Sequence, residues 1–221
     1  MHVLILKMGT TEPSVVAEHG DYDDWFRVVL EDLGCTVTVC AVFSGEPLPE
    51  ALTVDGILLT GSPLSVRDEA PWMQHVGQWT LRQVQKEIPV LAVCFGHQLL
   101  GECLGARVGE NSNGPEWGTI EVALQASDPL FDGLPETILV QASHRDVLLS
   151  MPEGAICLAK NANTAAQAYG WGAYLRAVQF HPEARSNVIA DLLAVRGLDG
   201  DTEPSDHGQR ILGNWVKHWL T

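Results

Sequence analysis

The strongest constraint on this chain is its regular alternation of short apolar runs with segments of helical periodicity. Val3-Leu4-Ile5-Leu6 reads as a first strand. After a polar loop from Gly9 to Asp21, the residues Trp25, Phe26, Val29, Leu30 and Leu33 recur at helical spacing, with Asp23 or Asp24 placed to cap the helix and Gly34 to stop it. Thr36-Val37-Thr38-Val39 predicts a second strand, and Gly56-Ile57-Leu58-Leu59-Thr60 a third that runs into the turn Gly61-Ser62-Pro63. Trp72, Val76 and Trp79 mark the next helix. Pro89 precedes the run Val90-Leu91-Ala92-Val93, and Leu99, Leu100, Cys103 and Leu104 give the following helix an apolar face that Gly105 ends. Strands and helices in this alternation imply an α/β fold with a doubly wound, mostly parallel sheet, helices on both faces, and ligands bound beyond the carboxyl ends of the strands.

Beyond Gly118 the pattern changes to short β-like runs, Ile120-Glu121-Val122, Ile138-Leu139-Val140 and residues 173–180, separated by Pro, Gly and Asn turns, which predicts a small antiparallel portion. Residues 199–206 read as an exposed loop, and Ile211, Leu212, Trp215, Val216, Trp219 and Leu220 as an amphipathic closing helix. With 221 residues and 46% hydrophobic content, the chain is expected to form one domain over residues 1–221. The first strand starts without a charged segment and cleavage site before it, and no apolar run approaches about 18 residues, so a soluble, cytoplasmic protein with no membrane partner is expected. Five cysteines, odd in number and without CxxC spacing, suggest neither a disulfide framework nor a zinc site. A formal net charge of −15 would repel a phosphate backbone, which argues against nucleic acid.

Cys94 carries the chemistry. It sits where the apolar run ends and Phe95-Gly96-His97-Gln98 opens a helix, the layout of a nucleophile elbow, in which a sharp strand-to-helix turn exposes one side chain to the first N–H groups of the helix. A thiol at a helix N-terminus is biased toward thiolate. A cysteine nucleophile needs a base, and the base needs an orienting group. In Gln179-Phe180-His181-Pro182-Glu183, an extended backbone puts His181 and Glu183 on one side, so that Glu183 fixes one imidazole nitrogen and leaves the other for Cys94. The oxyanion is expected to be held by the N–H groups of Phe95 and Ser62.

Ala92-Val93-Cys94-Phe95-Gly96-His97-Gln98 and His181-Pro182-Glu183 resemble the G-x-C-x-G-x-Q and H-P-E motifs of the class I glutamine amidotransferases, whose domain is flavodoxin-like. The Gly61-Ser62-Pro63 turn, Ser143-His144-Arg145-Asp146 and the closing helix fall in the family's order, so the resemblance covers nearly the whole chain. It is greatest to free-standing proteins related to the amidotransferase domain of GMP synthase and to the γ-glutamyl peptidases. The resemblance implies that Cys94 attacks the carboxamide of glutamine, that His181 protonates departing ammonia, that Glu183 orients His181, and that water hydrolyses a γ-glutamyl thioester. It also implies that Gln98, Ser143 and His144 border the glutamyl pocket and that no cofactor is used. Two positions depart from the family's pattern. Ala92 stands where glycine is usual in the elbow, and Ser62 where many members have a second glycine, whose absence would leave the oxyanion turn fixed in the active orientation or blocked.

Alternative readings are weaker. His144-x-Asp146 and His181-x-Glu183 could be metal ligands, but no H-E-x-x-H or cysteine cluster supports them, and no metal is expected. His97 is turned partly away from Cys94 on its helix. Among functions, a glutaminase would feed ammonia to a separate synthase subunit, since no G-x-x-x-x-G-K-[ST] loop is present. A stand-alone γ-glutamyl peptidase would use the same triad on a larger leaving amine. A non-catalytic regulatory protein on this fold is the third reading.

Overall fold

The computed structural model describes residues 1–50 and 52–221. The chain runs through β1 (His2–Leu6), α1 (Pro13–His19), α2 (Tyr22–Asp32), β2 (Thr36–Cys40), β3 (Gly56–Leu59), α3 (Pro71–Val84), β4 (Val90–Val93), α4 (Phe95–Cys103), β5 (Val108–Glu110), β6 (Glu116–Leu124), β7 (Thr137–His144), β8 (Asp146–Leu148), β9 (Ile156–Lys160), β10 (Ala168–Trp171), β11 (Leu175–Val178), α5 (Ser186–Arg196) and α6 (His207–Trp215). Nine strands form one sheet in the order β2-β1-β3-β4-β11-β10-β9-β6-β7. The five strands from β2 to β11 are mutually parallel and follow the flavodoxin-like order. The other four continue the sheet as an antiparallel extension, and β5 pairs with β8 in a separate ribbon.

The inner parallel strands β1, β3, β4 and β11 are buried on both faces, with alternate residues serving different cores, while the edge strand β2 leaves Thr36 and Thr38 exposed. Val3 and Ile5 of β1 pack with Phe26, Leu30, Ile211 and Trp215 from α2 and α6. Leu4 and Leu6 face Val76, Leu99 and Leu100 from α3 and α4. A third cluster joins Val15 of α1 and Trp25 of α2 to Ile189, Leu192 and Leu193 of α5. No helix among the described residues is long and apolar enough to cross a membrane.

The segment expected as a loop from Gly9 to Asp21 contains α1. This helix has Pro13 at its start but no side-chain cap and one buried residue, Val15, so it carries little periodic signal and is held by α5. The cap of α2 is Asp21 rather than Asp23 or Asp24. Its carboxylate accepts the Tyr22 N–H at 2.9 Å, while the Asp21 N–H donates to Asp24 at 3.0 Å, a capping box worth about 1 kcal/mol. Strands β9 and β10 lie outside the predicted strands, since Cys157, Ala159, Ala168 and Gly170 give them a weak strand signal and pairing with their neighbours in the sheet defines them.

Candidate active site

The nucleophile position is built by a strand ladder. Strands β4 and β11 pair in parallel from Val90↔Leu175 to Val93↔Val178, and the next amide, Cys94 N–H, donates to the Val178 carbonyl at 2.8 Å. Cys94 then takes φ 49°, ψ −100°, which costs a non-glycine residue about 1–3 kcal/mol. Ala92, where a glycine is usual, is fully buried on β4, and the elbow closes with its methyl in place. The first bond into α4 runs from Gln98 N–H to the Cys94 carbonyl at 3.0 Å, so the amides of Phe95 and its two successors have no partner within the helix and gather at its positive end.

Beyond β11 the chain stays extended. The His181 N–H donates to the Gln141 carbonyl at 2.8 Å, bridging the parallel half to β7. His181 Nδ1 and Glu183 Oε1 are 2.7 Å apart, with both side chains buried. The ring lies beside Cys94 because residue 61 is glycine: a Cβ there would sit 2.7 Å from His181 Cε1 and 3.6 Å from Cys94 Cβ. Burial opposes the ring's charge, but the Glu183 carboxylate, and after it the charge and hydrogen bonding of Cys94, push the imidazole pKa up to about 10. The sulfur, imidazole and carboxylate predicted from the sequence therefore meet at the carboxyl ends of β4 and β11.

Ser62 and Phe95 both border the cleft above Cys94. The Ser62 hydroxyl donates to the Met8 carbonyl at 3.0 Å and accepts the Leu64 N–H at 3.1 Å, which ties the turn after β3 to the end of β1. Gly9 makes room for it, since a Cβ there would overlap Ser62 Oγ and lie 2.9 Å from Pro63 Cδ. The cleft measures about 420 Å³ and also takes in Gln98, Ser143, His144 and Arg196. Gln98 Nε2 donates to the Asp146 carbonyl at 2.7 Å and to Gln179 Oε1 at 3.1 Å, fixing its amide. His144 Nε2 lies 3.3 Å from the buried Glu116 carboxylate. Burial opposes the charge of Glu116, but His144, Thr164 and Asn161 hold its carboxyl below the usual range.

His97 is fully buried against Tyr169, with ring centroids 4.8 Å apart, and burial lowers its pKa to about 3, so it is a neutral packing residue. The metal reading of His144 and Asp146 does not fit. The Asp146 carboxylate is gripped by Arg67 at 3.0 Å through two nitrogens and bonded by Ser65, while His144 turns toward Glu116. Three residues near the site lie outside every sequence motif. Tyr22 stacks on His181 with centroids 6.3 Å apart and planes at 21°, Arg196 reaches the cleft from the end of α5, and Glu116 backs His144. Each is brought in by tertiary packing, for which its own segment carries no signal.

Residues 18–194 match the family described as glutamine amidotransferase class-I. The chain belongs to the class I glutamine amidotransferase family. A relative from Archaeoglobus fulgidus, named as one subunit of a glutamine-hydrolyzing GMP synthase, is 31% identical over 170 residues, covering 76% of this chain and 87% of the relative. A glutamine-hydrolyzing GMP synthase from Syntrophomonas wolfei is 38% identical over 158 residues, which are 68% of this chain but 30% of that longer protein. Among solved structures, a glutamine amidotransferase from Thermotoga maritima superposes with a TM-score of 0.79 at 21% identity, covering 100% of this chain and 99% of the other, and shares its fold.

Proposed function

We propose that this amidotransferase-family chain hydrolyses the γ-carboxamide of glutamine through a thioester on Cys94. The Cys94 sulfur attacks the carbonyl carbon, and the N–H groups of Ser62 and Phe95 receive the developing oxyanion. The C–N bond breaks as the His181 imidazolium gives its proton to the departing ammonia. Water, deprotonated by the same ring, then attacks the thioester and releases glutamate. Glu183 holds the ring and its charge. The single observation that carries this reading is the buried 2.7 Å pair of His181 and Glu183 beside a cysteine held at a strained elbow.

The test is incubation of the purified protein with glutamine, following glutamate and ammonia and trapping a glutamyl adduct on Cys94 by mass spectrometry. Turnover and adduct present in the wild type and lost in Cys94→Ala support the reading. Turnover that survives the substitution overturns it. Relatives of similar length are named as subunits, which supports delivery of the ammonia to a separate synthase subunit.

A further inference from the structure

One hydrogen bond leaves an imidazole a hinge. The 2.7 Å bond between His181 Nδ1 and Glu183 fixes one edge of the ring, and the bond from the His181 N–H to Gln141 fixes the backbone that carries it, yet neither resists a tilt of the ring plane about the bonded edge. A proton donor needs that plane held, since Nε2 must face the sulfur in one step and the departing nitrogen in the next. Two further neighbours restrain it. The backbone of Gly61 closes on the Cε1 edge, where a Cβ would come within 2.7 Å. The Tyr22 ring covers a face, with centroids 6.3 Å apart and planes at 21°, inside the range in which aromatic rings stack.

Tyr22 is the first residue of α2, a place where helices ordinarily fray. Here the turn is locked. The Asp21 carboxylate accepts the N–H groups of Tyr22 at 2.9 Å and Thr11 at 3.0 Å, and Lys7 Nζ lies 2.7 Å from its other oxygen. Trp25 meets the Tyr22 ring edge-on, with centroids 5.1 Å apart and planes at 65°, and the Trp25 indole N–H is tied to the carbonyls of His19 and Gly20, each at 3.0 Å. Both aromatic side chains are buried, and burial pushes the Tyr22 phenol up to about 12, so the ring beside the imidazole is neutral and sets no charge against that of Glu183. Core packing asks a side chain for volume. It does not ask that the ring lie within 21° of the imidazole plane.

We infer that Tyr22 is a positioning residue for His181: stacked on the imidazole from the first turn of α2, it holds the ring plane so that Nε2 serves the Cys94 sulfur and then the leaving nitrogen. This rests on the Cys94, His181 and Glu183 reading. Tyr22 touches no reacting atom and moves no proton. It also stands outside the lining of the cleft, so it takes no part in holding glutamine. Its flat face, not its hydroxyl, carries the role. An interaction of this kind is felt only in the steps in which His181 gives or takes a proton, so its loss lowers kcat and leaves KM as it was.

The test compares the wild type with Tyr22→Phe, Tyr22→Leu and Val15→Ala, the last of which removes volume from the same cluster of α1, α2 and α5 without altering either ring. Tyr22→Met repeats the Tyr22→Leu arm with a side chain that fills irregular gaps, in case the branched one does not fold. In glutamine turnover, Tyr22→Leu is expected to lose about tenfold or more in kcat at unchanged KM, and Tyr22→Phe to stay within about twofold of the wild type. The second readout needs no substrate: alkylation of Cys94 by iodoacetamide across pH, followed on the Cys94 peptide by mass spectrometry. With the ring free to tilt, the imidazolium no longer backs the thiolate, and the midpoint of the curve is expected to rise by about one pH unit in Tyr22→Leu and to stay in place in Tyr22→Phe and Val15→Ala. A loss in Tyr22→Phe as large as in Tyr22→Leu would assign the effect to the hydroxyl and overturn the proposal. A Tyr22→Leu curve that does not move, or a movement that Val15→Ala matches, overturns it as well, because the role would then be core packing alone. A chain that turns over no glutamine but shows the shifted curve keeps the clamp on His181 and ends the glutaminase reading.

Discussion

The backbone of Gly96 rests directly on Leu59: a Cβ at residue 96 would lie 2.6 Å from Leu59 Cβ and 3.2 Å from the Leu59 carbonyl oxygen. The contact seats α4 against the end of β3, so it sets how deeply the elbow presses into the sheet. Gly96→Ala is expected to lower stability by about 1–3 kcal/mol, as overpacking does in a close-packed core, and to cut kcat as Cys94 is displaced. Urea unfolding together with glutamine turnover measures both. A variant as stable and as active as the wild type would contradict the packing argument.

The imidazole of His181 carries a pKa raised from 6.5 to about 10, against its burial, by Glu183 and then Cys94. A group that binds its proton more tightly when folded stabilises the fold fully below its unfolded pKa, and that stabilisation is lost as pH rises through the folded value. The Tm gap between the wild type and Glu183→Gln should therefore be widest near pH 6 and narrow steadily toward pH 10. The same substitution should reduce kcat by about a hundredfold and move the alkaline limb of the rate profile to lower pH, because the ring then loses the proton it must donate sooner. A gap that widens with pH would reverse the assignment.

Ser62 replaces a glycine that would leave its peptide free to turn over, and its hydroxyl bonds link the turn to Met8 and Leu64. Each bond contributes about 1 kcal/mol net, enough together to bias the turn strongly to one orientation. Ser62→Gly should lower glutamine turnover in the absence of any partner by about tenfold or more. Activity unchanged or raised by the substitution would mean that the latch holds the turn in a closed orientation. Steady-state kinetics on the isolated chain decides between them.

The parallel half of the sheet and the family motifs were legible because their signals are local: apolar runs, glycine turns, and His181 and Glu183 two apart on an extended backbone. Strands β9 and β10 were not, because each is only four or five residues long, with Ile156 exposed and a glycine inside β10, so their pairing in the sheet rather than a local period defines them. Arg196 escaped for a different reason. At the end of α5 it looks like an ordinary cation complementing a helix terminus, and only folding carries it to Ser143, 53 residues away in the chain. Glu116 likewise belongs to a strand whose register with β7, Glu116↔His144, cannot be read from either segment alone.

The ladder between β4 and β11 has only four rungs, and the chemistry proposed for Cys94 and His181 hangs from its last one. Side chains on a strand switch faces with every residue, so sliding one strand past the other by a single position would send the ring at 181 to the opposite surface and its carboxylate companion with it. Surface loops away from the cleft can lengthen or shorten without touching the site. The stretch from 175 to 183 has no such freedom: one inserted residue there would leave a well-folded sheet with nothing to deliver a proton.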